Sequence, residues 1–197
     1  MDVDDPRADA GLVAAVARRL DRPVVLVGMM GVGKSSVGKR LAALLRLPFI
    51  DADDAIEQAA QMSIPEIFES YGENAFRDGE RRVIARLLGA CDKRGASSER
   101  KVIATGGGAF CQPETRRLIL DRAATVWLDC DVDTLVERVG RRDNRPLLRN
   151  GNPRETLLRL KTERDGAYAE APIHVVSAKG PHNRTVMKIV EGLDRWL

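Results

Sequence analysis

An α/β fold with a five-stranded parallel sheet between layers of helices is the architecture this sequence predicts, and three observations predict it. Short unbroken apolar runs, typical of strands covered on both faces, recur along the chain. Helical stretches separate them, so strand and helix alternate. The first run ends directly in a cluster of glycines, which marks a turn with unusual backbone demands.

The elements follow in order. Leu12, Val13, Val16 and Leu20 recur at helical spacing around Arg18 and Arg19, which predicts an amphipathic helix over about 8–20. The first strand is Pro23 to Val27. Further strand-like runs are Phe49-Ile50, Val102 to Ala104, Thr125 to Leu128 and Ile173 to Val176. Helical stretches are expected over about 35–55, 65–90, 113–121, 132–140 and 153–170. Arg94 to Arg100, polar and containing Gly and Ser, reads as a surface loop leading into the third strand. The chain has no internal repeat and no low-complexity tract.

Bulk properties narrow the class. The 197 residues suit one domain of this type, and 44% hydrophobic residues are too many for a disordered chain. Lys and Arg number 32 against 29 Asp and Glu, so any anion site has to be local, and no global field calls for nucleic acid. Aromatics at 4% leave no stacking platform for single strands. Cys91, Cys111 and Cys130 are odd in number and far apart, with only His174 and His182 beside them as soft ligands, so neither disulfides nor structural zinc are expected. The acidic start MDVDDPRADA has no apolar signal core behind it, and no stretch reaches the ~20 apolar residues of a membrane span. A soluble, cytoplasmic protein is the expectation.

Chemistry concentrates in three places. Gly28-Met29-Met30-Gly31-Val32-Gly33-Lys34-Ser35 satisfies G-x4-G-K-[ST] between an apolar strand and a helix. Such glycines let consecutive N–H groups turn inward on phosphate oxygens while the helix offers its positive end. Gly31, Val32, Gly33, Lys34, Ser35 and Ser36 are therefore the expected nucleotide contacts, with Lys34 on the β- and γ-phosphates and Ser35 on Mg²⁺. Asp51 and Asp53 follow the second strand and fall beside this cradle, where a carboxylate can accept a proton from an attacking hydroxyl or hold Mg²⁺ through water. Asp54 is a candidate N-cap for a helix starting at Ala55. Finally, Gly106-Gly107-Gly108 closes the third strand; stability alone does not justify three glycines there, so something must approach that backbone closely. The histidines are expected to be structural or solvated, His174 in a strand and His182 in a loop.

With these residues the chain resembles the shikimate kinase family. GMMGVGKSSVGKRLA, FIDADDAIE, SIPEIFESYGENAFRDGER, VIATGGGAF, NRPLL and ERDGAYAE stand in the family's order from Gly28 to about Glu170. The resemblance implies a three-layer P-loop fold related to nucleoside monophosphate kinases, with strand order 2-3-1-4-5. It implies a kinase domain over 23–197, with an acceptor-binding region at about 51–90 and a lid at about 140–153, behind an extension over 1–22. The activity it implies is transfer of the γ-phosphoryl group of ATP to the 3-hydroxyl of shikimate, in chorismate and aromatic amino acid biosynthesis, by a monomer using Mg²⁺.

Residue by residue, Asp53 matches the carboxylate that holds the acceptor hydroxyls, acting as base or only positioning them. Arg77 and Arg164 match the arginines on the shikimate carboxylate, and Gly106, Gly107 and Gly108 lend backbone N–H groups to the acceptor. Arg145 matches the lid arginine, in a basic loop with Arg141, Arg142 and Arg149. Glu80 matches an acid that orients an arginine, while Arg138 and the Lys179–Pro181 turn match the region flanking adenine. Two other readings stay open: a kinase of another acceptor, such as gluconate or a nucleoside monophosphate, and a non-catalytic nucleotide switch. The latter lacks an NKxD element for reading guanine.

Overall fold

The computed structural model describes residues 6–89, 99–140, 152–177 and 182–197. Among them, β1 (Val24–Val27), β2 (Phe49–Asp51), β3 (Val102–Ala104), β4 (Ala124–Asp129) and β5 (Ile173–Val176) form one sheet in the order β2-β3-β1-β4-β5. Every pairing is parallel, with Val25 opposite Ile103 on one side and Thr125 on the other. The predicted sheet and its order are what the structure shows.

Burial explains why these runs read as strands. β1 and β3 are buried at every position, as central parallel strands covered on both faces must be. The edge strand β5 alternates, with Ile173 and Val175 inward and His174 and Val176 exposed. Chain order reverses at β1, because β2 and β3 lie on one side of it and β4 and β5 on the other. Ligands of open α/β sheets bind at such a reversal, beyond the carboxyl ends of the strands.

The helices are α1 (Pro6–Arg19), α2 (Lys34–Leu45), α3 (Ala52–Ala60), α4 (Ile64–Leu87), α5 (Pro113–Arg122), α6 (Val132–Gly140), α7 (Pro153–Tyr168) and α8 (His182–Trp196). α4 matches the helix expected over 65–90 to within a few residues, whereas two regions differ from the sequence expectation. The stretch over 35–55 divides into α2, the short strand β2 and α3, because Arg46 adopts a left-handed conformation that closes α2. α4 starts on a capping box between Ser63 and Glu66 and kinks at Gly72. α8 lies beyond the last expected helix, although Val186, Ile189, Val190 and Leu193 repeat at helical spacing and are all buried. His182, expected in a loop, is its first residue.

Two apolar clusters result. The main one unites both faces of the sheet and includes Val16 and Leu20 at the end of α1. α1 packs on α8 and α2, and Arg19 donates to the side chain and the carbonyl of Asp194 at 2.7 and 3.1 Å. Leu20→Ala is accordingly expected to cost about 3 kcal/mol in a urea titration, as for other fully buried leucines, without altering turnover per folded molecule. An unchanged midpoint would detach α1 from the core. The second cluster, Ile56, Ile67, Phe76 and Val83, joins α3 to α4. It gives that helix pair an apolar contact of its own, apart from the sheet.

Candidate active site

The turn after β1 places the cradle at the sheet reversal. Gly28, Gly31 and Gly33 hold φ of 133°, 82° and 104°, which side-chain-bearing residues rarely adopt, and Gly33 leads straight into α2. Gly31, Val32, Gly33, Lys34, Ser35 and Ser36 thus surround the amino end of α2, whose first N–H groups have no partners within the helix. Lys34 is buried, and its ammonium donates to the carbonyls of Gly28 at 2.7 Å and Met29 at 2.9 Å. Arg138 donates to the Val32 carbonyl at 2.7 Å from the α6 side, and the His182 ring lies against Gly33. Burial, with Arg40 and Arg138 adding to it, holds the His182 imidazole below its usual pKa.

The two aspartates divide their work. Asp51 accepts from the Ser35 hydroxyl at 2.6 Å and from the Asp53 N–H at 3.1 Å. It is therefore Asp51, not Asp54, that caps the helix, which begins at Ala52 and not Ala55. A hydroxyl and a carboxylate in contact beside a phosphate cradle are hard oxygen donors of the kind Mg²⁺ takes, so this pair fits the ion. Asp53 turns the other way, toward Gly106. Burial first, then the nearby Asp51 charge, push its carboxyl above the usual range, and Lys34 opposes them.

The glycine turn explains itself against these side chains. A methyl group on Gly106 would fall 2.7 Å from Asp53 Oδ1 and 3.1 Å from Glu80 Oε1. One on Gly107 would lie 3.1 Å from the Met30 nitrogen in the cradle and 3.7 Å from the Arg164 guanidinium. One on Gly108 would lie 2.7 Å from Arg77. The close approach expected at this backbone is thus made by charged side chains of the chain itself, brought in from α3, α4 and α7.

Those charges also fix one another. Arg77 donates to Glu80 at 2.8 Å and to Glu73 at 3.2 and 3.3 Å. Glu80 is almost wholly buried, and burial raises its pKa against the pull of Arg77. Arg164 donates to the Gly107 carbonyl at 3.3 Å, and Tyr168, one turn further along α7, donates to the same oxygen. From α5, Arg116 holds the carbonyls of Phe110 and Cys111 at 3.1 and 3.2 Å and pairs with Glu170. Neither Tyr168 nor Arg116 carries a role in the sequence reading. The spacing of four between Arg164 and Tyr168 on one helix was the available signal for the first; Arg116 had none.

Asp53, Arg77, Arg164, Lys34, Ser35, Asp51 and the glycines therefore meet at one crevice. Arg145, with Arg141, Arg142, Arg149 and the Lys179–Pro181 turn, lies outside the described residues. His174 stands apart, stacked on Trp127 at 4.0 Å near Asp129. No described helix is long and apolar enough to cross a membrane.

A glycine cradle at the head of a helix, at the reversal of a 2-3-1-4-5 parallel sheet and facing paired aspartates and arginines, defines the P-loop phosphotransferases. Within that class the comparisons are specific. Residues 30–194 match the family model "Shikimate kinase". A shikimate kinase of Novosphingobium aromaticivorans is 61% identical over 96% of this chain and 98% of its own. One of Rhodopseudomonas palustris is 50% identical over 96% and 88%. The solved shikimate kinase of Acinetobacter baumannii in complex with shikimate superposes with a TM-score of 0.80 at 35% identity, covering 89% of this chain and 95% of that one. The chain belongs to the shikimate kinase family, and its activity is that of an ATP-dependent kinase in aromatic amino acid biosynthesis.

Proposed function

We propose that the crevice transfers the γ-phosphoryl group of ATP to the 3-hydroxyl of shikimate. The observation carrying this reading is the glycine turn: each of its three residues faces a charged side chain, and Gly107 at the same time touches the cradle through Met30. Acceptor and phosphate donor thereby share one wall.

In this reading the N–H groups from Gly31 to Ser36 and the amino end of α2 hold the β-phosphate. Lys34 exchanges the carbonyls of Gly28 and Met29 for phosphate oxygens when the nucleotide binds. Arg77 and Arg164 grip the shikimate carboxylate, whose two oxygens match their planar forks, while Glu80 holds Arg77 in place. The glycine N–H groups and Asp53 receive the ring hydroxyls. The acceptor oxygen forms its bond to the γ-phosphorus as the bond to the ADP oxygen breaks, and the proton passes to Asp53 or onward to solvent. A carboxyl pKa raised by burial makes Asp53 a stronger proton acceptor than a solvated aspartate. Ser35 and Asp51, with Asp53 through water, are the residues to hold Mg²⁺, which neutralises phosphate charge when bound.

Arg145 is assigned to a lid over about 140–153 that brings a further cation to the phosphates and keeps water out. The helix pair within residues 51–90 is assigned to the acceptor, in a kinase domain over 23–197 that follows the extension 1–22. A cytoplasmic monomer completes the proposal; among the described residues the exposed large apolar side chains are Leu44 on α2, Phe68 and Tyr71 on α4, Leu158 on α7 and Val176 on β5, spread over four elements.

The test is a coupled assay of ADP release against shikimate, quinate, gluconate and nucleoside monophosphates. Shikimate alone should turn over efficiently; a better acceptor among the others overturns the assignment. In the same assay Arg77→Ala should raise the KM for shikimate by about 100-fold, the value of a charge-assisted bidentate contact, and that for ATP by far less. The opposite pattern would move Arg77 to the nucleotide side.

A further inference from the structure

Glycines cannot hold a peptide plane by themselves, since they lose the most backbone freedom on ordering and carry no side chain to pack. The Gly106–Gly108 turn therefore takes its orientation from outside partners. One of these is Tyr168, the last residue of α7, fully buried and donating its hydroxyl to the Gly107 carbonyl. Its ring is wedged between Phe110 and Trp127, at centroid separations of 6.4 and 6.0 Å and near-parallel, and Trp127 stacks in turn on His174. Packing thus decides where the hydroxyl points. Burial pushes the phenol far above its usual pKa, so it stays an O–H donor at any working pH.

We propose that Tyr168 is a positioning residue for acceptor recognition, fixing through the Gly107 carbonyl both the plane of the Gly107–Gly108 peptide and the placement of Arg164. Two consequences follow from that one shared oxygen. A trans peptide is rigid, and its C=O and N–H point in opposite directions; the described chain holds no cis bond. Turning the Gly107 carbonyl onto α7 sends the Gly108 N–H away from α7, at the residue whose Cα faces Arg77. At the same time Arg164 spends one N–H on the carbonyl at 3.3 Å, which aims the rest of its fork. Tyr168 thereby couples the backbone donor to the carboxylate grip without touching substrate itself.

The inference rests on the acceptor reading of this turn, and two variants separate them. Tyr168→Phe keeps the ring and its stack and removes only the O–H. Its KM for shikimate should rise about tenfold, the value of one well-placed hydrogen bond, with the KM for ATP within about twofold and kcat within about threefold. The unchanged ATP constant reports an intact fold in the same preparation. A shikimate KM within twofold of the parent, or equal rises for both substrates, overturns the positioning role. Arg164→Ala decides the underlying reading. If it raises the shikimate KM while Tyr168→Phe does not, only the Tyr168 assignment falls; if neither does, the acceptor reading falls as well.

Discussion

Asp53→Asn is expected to lower kcat by about 10³-fold, within the range for loss of a positioned proton acceptor, and at the same time to raise the melting midpoint at pH 7. The two effects have one origin. Asp53 is buried against Gly106 and close to the Asp51 charge, so the folded protein holds its proton more tightly than the unfolded chain does. With the folded-state pKa above the unfolded value, the folded state binds the proton more tightly between the two. Stability then declines as pH rises through that interval, and the penalty is fully present above it. Asparagine has nearly the same shape and no charge to desolvate, which removes the penalty along with the base. The parent kcat should likewise fall with acid at an inflection above the ordinary aspartate range, and the variant should lack that limb. Near-normal turnover in Asp53→Asn would reduce Asp53 to a scaffold residue, and a lowered midpoint would show that its charge is compensated.

Lys34→Ala should cost about 10²–10³ in kcat, while the KM for shikimate moves little. The ammonium belongs to α2 and is aimed by its two bonds to the Gly28 and Met29 carbonyls. Those carbonyls are its partners before nucleotide arrives, so the charge needs only to shift across the cradle to meet the γ-phosphate. Such a contact matters most when negative charge redistributes in the transition state, which places the loss in kcat. Lys34→Arg should not restore activity, because a planar fork is too wide for a site shaped around a point charge. Single-turnover measurements with saturating ATP and shikimate would show this directly, and an unaltered chemical step would remove Lys34 from the mechanism.

Much of this was legible from residue order. The alternating strands and helices gave the sheet, and the resemblance gave its order. The misplaced boundaries have local causes. β2, read from Phe49-Ile50, is only three residues long and half-buried, so the helical stretch expected over 35–55 ran across it although α2 ends before it and α3 begins directly after it. Asp51 caps α3 instead of Asp54 because the helix starts as soon as the strand ends, with no loop between them. The missed α8 carried a clear signal in Val186, Ile189, Val190 and Leu193, although Gly192 interrupts it near its end.

The phosphate cradle is a property of the sequence itself. Eight consecutive residues contain the turn, the lysine and the helix start, and positive φ at Gly28, Gly31 and Gly33 is a demand that local chain geometry makes on residue type. The glycines at 106–108 adopt no positive φ, and their number alone made a closely approached backbone legible there. What they make room for was not. Asp53, Arg77 and Arg164 reach that turn from tens of residues away, and only the packing of α3, α4 and α7 around the ends of β2 and β3 decides that they meet. The sharing of one carbonyl between Arg164 and Tyr168 is further still from any periodicity, because it depends on an aromatic stack assembled from Phe110, Trp127 and Tyr168. Backbone conformation is set by neighbours along the chain, whereas the convergence of distant charges is set by shape complementarity in the folded core, which no single stretch of sequence contains.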